Sequence, residues 1–189
     1  MSDPARESTR RRLTAKQADT VERLGQAAVT VLGREGFAGL TVRRVATEAG
    51  VGAATAYTYF SSKEHLVAEV FWRRLVGSPC VAHQSDDPAE RVIEVFGHIS
   101  KPVADEPEFA GAVTAALLGR DPDVEVLRLR IALDIRDRLT EAVGADADPG
   151  VVDTLELLYS GALVSAGMGY SSYDDISRRL ATAARLLLG

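Results

Sequence analysis

Residues 41–60 read TVRRVATEAGVGAATAYTYF. Thr41 offers a side-chain oxygen to the unpaired N–H groups of a helix that starts at Val42. Val45, Ala46 and Ala49 then recur at helical spacing, and Gly50 supplies the left-handed conformation a tight stop requires. Val51-Gly52 hands the chain to a second short helix. Ala46 is small enough for the two helices to cross closely, and Val51 fills the angle between them. This is helix-turn-helix spacing, although an ordinary helical hairpin carries the same punctuation. Tyr57 to Glu64 (YTYFSSKE) adds tyrosine hydroxyls, a serine cap and a lysine, all donors suited to phosphate oxygens, while Phe60 is expected in the core.

Outward from this segment the punctuation stays helical. Thr14 with Gln17, Ser61 with Glu64 and Ser172 with Asp175 read as capping boxes or acidic variants of them. Asp87-Pro88, Asp121-Pro122 and Asp148-Pro149 place an acceptor before proline at the first helical position, and Glu106-Pro107 does so with a poorer cap. Leu24, Ala27, Ala28, Val31 and Leu32 form one apolar stripe. Val92, Val95, Phe96, Ile99 and Val103 form a second, and Leu155, Leu158, Tyr159, Ala162 and Leu163 a third. The spacing predicts an all-α chain of about nine helices, near 14–34, 42–49, 53–59, 62–77, 88–104, 107–119, 122–143, 149–170 and 173–188.

Charge separates the two ends of the chain. Residues 1–76 hold 12 Lys/Arg against 8 Asp/Glu, and residues 77–189 hold 10 against 19, within a total net charge of −5. Such asymmetry suits a nucleic-acid-facing part joined to one with another task. The first 13 residues carry four arginines and no apolar segment, the composition of a flexible basic arm and not of a secretory signal. Arg10-Arg11-Arg12 suits either a minor-groove contact or a solvated tail.

One cysteine, Cys80, allows no internal disulfide, which fits a reducing, cytoplasmic compartment and no metal site. An inert thiol is expected there, with an exposed sensor as the alternative. The longest uncharged run, 157–173, contains four serines and three glycines, too polar to span a membrane. His65, His83 and His98 match no metalloprotease motif. Neither a phosphate-binding glycine loop nor a Ser-His-Asp arrangement is readable. His65 is expected to flank a surface helix, and His98 to be partly exposed or to meet a ligand.

The combination of a first helix ending in Gly36-Phe37, the 41–50 helix, Gly50-Val51, and Tyr57-Thr58-Tyr59-Phe60 followed by Ser62-Lys63-Glu64 resembles the TetR family of bacterial transcriptional regulators over about residues 14–75. The resemblance implies an all-helical homodimer that binds palindromic double-stranded operator DNA and answers a small effector, without a cofactor and without catalysis. It implies a helix-turn-helix domain over 14–61 and a ligand-binding and dimerisation domain over 62–189, behind the arm at 1–13. It also implies that Thr41 and Arg43 on the first short helix and Ala53, Thr55 and Tyr57 on the second face DNA, with Tyr59 and Lys63 on phosphates. Gly52 stands where the family usually caps with serine, and Ala56 where a larger aliphatic is usual. With few polar side chains available, base reading is expected to lean on Arg43, Thr55, thymine methyl groups and DNA shape.

The remaining apolar positions suggest the effector. Phe96, Ile99, Val103, Phe109, Val113, Leu117, Leu127, Ile131 and Tyr159 are expected to line a site for a small, largely apolar ligand. Val126, Leu129 and Leu133 give the 122–143 helix a second apolar side, so it must contact two things. The ending from Ser177 to Gly189 is similar to lipid- or sterol-catabolism regulators of the family, which makes a lipid-like effector the first expectation. The small residues of 160–169 (SGALVSAGMG) and the apolar face Ile176, Leu180, Ala183, Ala184 and Leu187 suit a two-fold helical interface. A small-molecule carrier or enzyme with an incidental helix-turn-helix is the rival reading.

Overall fold

Capping explains where most helices begin. The computed structural model describes residues 14–78, 85–144 and 148–189, apart from the side chains of Tyr173 and Asp174. Expectations for the arm at 1–13, Cys80 and His83 lie outside the described residues. Within them the elements are α1 (Ala15–Gly39), α2 (Val42–Glu48), α3 (Ala53–Tyr59), α4 (Lys63–Gly77), α5 (Pro88–Ala104), α6 (Pro107–Leu118), α7 (Pro122–Val143), α8 (Pro149–Gly167) and α9 (Tyr173–Leu188). The fold is all-α, with nine helices and no strand among the described residues.

Thr14 and Gln17 form a complete capping box. Asp87 and Asp148 each accept a backbone N–H of the following helix, and Ser172 accepts from Asp175 N–H. Glu106 makes no side-chain cap.

Three expectations are corrected. Ser61 does not cap α4: the Ser62 hydroxyl accepts His65 N–H at 2.9 Å, and Ser61 turns to another partner. His65 does not flank a surface helix, because its side chain is 3% exposed. The helix expected to reach 170 stops at Gly167, where Gly169 takes φ 75° and the Met168 and Tyr170 N–H groups fold back onto Val164 and Ser165 carbonyls. A left-handed glycine closes a helix in this way because it satisfies the last carbonyls without a Cβ penalty.

The described chain divides into two compact units. The first comprises residues 14–76 with Glu106–Arg128, and the second Gly77–Asp105 with Leu129–Gly189. In the first, the α1 stripe Leu24, Ala27, Ala28, Val31 and Leu32 is buried, together with Val45, Ala46, Ala56, Phe60 and Leu66. In the second, Val92, Val95, Phe96, Ile99 and Val103 of α5 are all buried, as are Ile176, Leu180 and Ala184 of α9. The third stripe holds at Leu155 and Tyr159 only, since Leu158 is exposed and Ala162 and Leu163 are half-buried. None of the helices is long and apolar enough to cross a membrane among the described residues.

Candidate nucleic-acid interface

The α2 stop is built from backbone. Gly50 has φ 64°, its N–H reaches Thr47 O at 3.2 Å, and Val51 N–H reaches Ala46 O at 2.8 Å. These two bonds make the Schellman arrangement, which turns the chain sharply into α3. Gly50→Ala is expected to cost about 1–2 kcal/mol, from the left-handed backbone alone. Crowding does not contribute, because an added Cβ would sit 3.6 Å from the nearest atom, Arg23 Nη2. Gly33→Ala, in an open position of α1 with nothing within 4 Å, is expected to stabilise by about 0.5–1 kcal/mol. Urea denaturation of both variants checks the opposed signs, and a loss at both positions would refute the backbone argument.

A frame of charged bonds holds α2 against α1. Arg23 donates to the Ala49 carbonyl, Arg34 pairs with Glu48 at 3.2 Å, and Arg44 pairs with Glu35 and donates to Gly39 O at 3.0 Å. Hydrogen bonds to Glu35 and then to Glu48 raise the Arg34 pKa above its ordinary value. Arg44 is therefore occupied inside the domain. Arg43, one residue earlier, is exposed and its guanidinium makes no hydrogen bond or ion pair among the described residues. Of the two neighbours, Arg43 is thus the one whose guanidinium is not engaged within the domain among the described residues.

The other expected contacts divide by exposure. Thr41 is the α2 cap, its hydroxyl accepting Arg44 N–H at 3.2 Å. Thr55 and Tyr57 are exposed on α3, while Ala53 and Tyr59 are half-buried. Lys63, expected on a phosphate, donates to the Phe37 carbonyl at 2.9 Å and lies 4.3 Å over the Phe37 ring. Its other two N–H groups remain for an anion. Lys63 thus fastens the turn after Gly36, whose φ of 66° breaks the helical path inside α1.

The nine positions expected around an apolar effector are distributed over both units. Phe96, Ile99, Val103, Ile131 and Tyr159 belong to the second, and Phe109, Val113, Leu117 and Leu127 to the first; all are buried except the half-buried Leu117. In the second unit Phe96 and Tyr159 stack at 5.9 Å, and Tyr159 O–H donates to the Ile99 carbonyl at 3.3 Å. The first unit contains a cavity of about 210 Å³ bordered by Val21, Gly25, Phe60, Glu69 and Arg73, among others, and by none of those nine positions.

A buried three-helix core with a glycine-stopped α2 and a solvent-facing α3 defines a helix-turn-helix transcriptional regulator. The chain belongs to the TetR family of bacterial regulatory proteins, whose family model matches residues 25–70. An uncharacterized HTH-type transcriptional regulator of Mycobacterium tuberculosis is 45% identical over 175 residues, covering 92% of this chain and 82% of that protein. Among solved structures, a TetR transcriptional regulator from Rhodococcus sp. RHA1 superposes with a TM-score of 0.72 at 23% identity, covering 93% of this chain and 97% of its own. Thermus thermophilus FadR, a TetR-family transcriptional repressor in complex with lauroyl-CoA, superposes with a TM-score of 0.64 at 21% identity, covering 89% of this chain and 93% of that one.

Proposed function

We propose that this regulator is a cytoplasmic repressor that binds a palindromic operator as a homodimer and leaves it when a small, largely apolar, lipid-like effector binds. The observation that carries the DNA reading is Arg43, exposed and unpaired among the described residues, as Thr55 and Tyr57 are exposed on α3, while Arg44, Arg34 and Arg23 each bond within the domain itself. Arg43→Ala should relax preference at one base pair by about 1–3 kcal/mol. Lys63→Ala should weaken all operators alike and flatten the salt dependence by about one unit, the signature of one lost phosphate contact. Binding to a randomised half-site library at several salt concentrations separates the two. An equal loss of base preference in both variants would remove the division of roles.

The effector reading rests on the buried Phe96, Ile99, Val103, Ile131 and Tyr159 of the second unit, where Phe96 stacks on Tyr159 and Tyr159 bonds to the Ile99 carbonyl. The lauroyl-CoA carried by the Thermus thermophilus structure adds support for an acyl chain as the class to try first. An effector at a hundred times its Kd stabilises the form it binds by about 2.7 kcal/mol. It releases DNA only if it prefers the form that cannot hold the operator. Thermal melting with fatty acyl-CoA, steroid and polyaromatic panels, followed by operator release, tests this. No shift in the melt from any class would count against an apolar effector.

A further inference from the structure

We infer that Ser61 and Asp123 form the link through which the α6–α7 corner and the operator-reading helix sense each other, an inference that rests on the regulator reading above. Ser61 lies two residues beyond α3, and Asp123 lies in the first turn of α7. The Ser61 hydroxyl donates to Asp123 Oδ2 at 2.5 Å across 62 residues of sequence. A hydroxyl bonded to a carboxylate at this length is a charge-assisted bond. The carboxylate also sits at a helix N-terminus, which favours its negative charge. Asp121 holds that terminus by accepting the N–H groups of Asp123 at 2.9 Å and Val124 at 3.2 Å.

Beside the link lies a buried aromatic contact. The buried His65 ring presents Nδ1 at 3.2 Å from Ser61 Oγ and 3.9 Å from Asp123 Oδ2, and packs edge-on against Phe60 at 5.8 Å. Phe60 is the residue that closes α3, its N–H bonded to Ala56 O at 3.0 Å. A displacement of the α7 start therefore pulls on Ser61, and Ser61 adjoins the ring under the reading helix. From Asp123, α7 runs as one helix to Val143, and its residues from Leu129 onward belong to the second unit. Ser61 and Asp123 are positioning residues, with neither required to touch DNA or effector. Ser61 was legible as a helix cap only. Its actual partner is set by tertiary structure, and no local spacing predicts it.

Coupling between two sites is reciprocal, so the link is testable without knowing the effector. The probe is a palindromic duplex selected by the full chain from a random pool, and the readout is amide hydrogen exchange with and without that duplex. In the native chain the duplex should slow exchange at 41–63 and also, by about fivefold or more, at 119–128. Ser61→Ala and Asp123→Asn should keep the slowing at 41–63 and lose it at 119–128, while Ser61→Thr, which retains the hydroxyl, should restore it. Melting of each variant confirms a folded chain. Unchanged exchange at 119–128 in the native chain, or slowing there that survives both variants, would overturn the link. Failure to select any duplex, or no protection at 41–63, would instead overturn the DNA-binding reading on which it rests.

Discussion

Phe60→Ala should lower the unfolding free energy by about 3–5 kcal/mol and abolish operator binding at growth temperature. Phe60 is 1% exposed and packs against His65 and Tyr59 at ring separations of 5.8 and 6.4 Å. Deleting a buried aromatic removes its transfer free energy and leaves a void whose size sets the rest of the cost. Here the void adjoins a solvent-open pocket of about 210 Å³ that Phe60 borders between α1 and α4. For a chain of this length each kcal/mol is worth about 2–4 °C in Tm. A scanning melt should therefore show a drop on the order of 10 °C or more. A drop under about 3 °C would mean that the α3–α4 junction relaxes freely, and that Phe60 is not what holds the reading helix in place.

The same junction shows how far sequence alone carries. Caps made by residues within four positions of one another were readable because their partners are local: Thr14 with Gln17, Asp87 with Ala89, Asp148 with Gly150 and Ser172 with Asp175 all formed. Gly50 was readable for the same reason, since the turn it makes is closed by bonds to Thr47 and Ala46. Ser61 was not. Two adjacent serines precede α4, either can cap it, and the choice is made by Asp123 sixty-two residues away. His65 was misplaced with it, because the residue that covers a side chain is invisible to a reading based on cap spacing. Arg43 and Arg44 were told apart by the family resemblance alone, and the positions of Glu35 and the Gly39 carbonyl supply a physical difference between them. On α8 the helical stripe overstated the buried face, since a helix with apolar residues on two sides does not say which side its own chain will cover.

That uncovered side supplies the second large effect. Gly161→Leu should weaken self-association by about 1–3 kcal/mol at each copy of the position, and hence by about 2–6 kcal/mol for the pair, since a two-fold interface presents the same residue twice. Leu157 of α8 and Met168, which caps its C-terminal end, lie with Gly161 at spacings of four and seven residues and are 74% and 61% exposed. An exposed apolar stripe of this kind is expected where another molecule covers the surface. Gly161 is the informative position within it. A Cβ added there meets nothing within 4 Å of its own chain, so the single subunit accommodates leucine. Replacing a mid-helix glycine should even stabilise α8 by about 1 kcal/mol. The folding effect and the association effect therefore carry opposite signs, which a general destabilisation would not produce. Sedimentation across a concentration series should show a raised monomer–dimer Kd, while the far-ultraviolet melt of the monomer holds or rises. Operator binding should fall in parallel, because two half-sites one helical turn apart are engaged together only when the two reading helices are held in one particle. An unchanged Kd with a raised melt would place the two-fold interface on another face, with the exposed Val126, Leu129 and Leu133 of α7 the next surface to substitute.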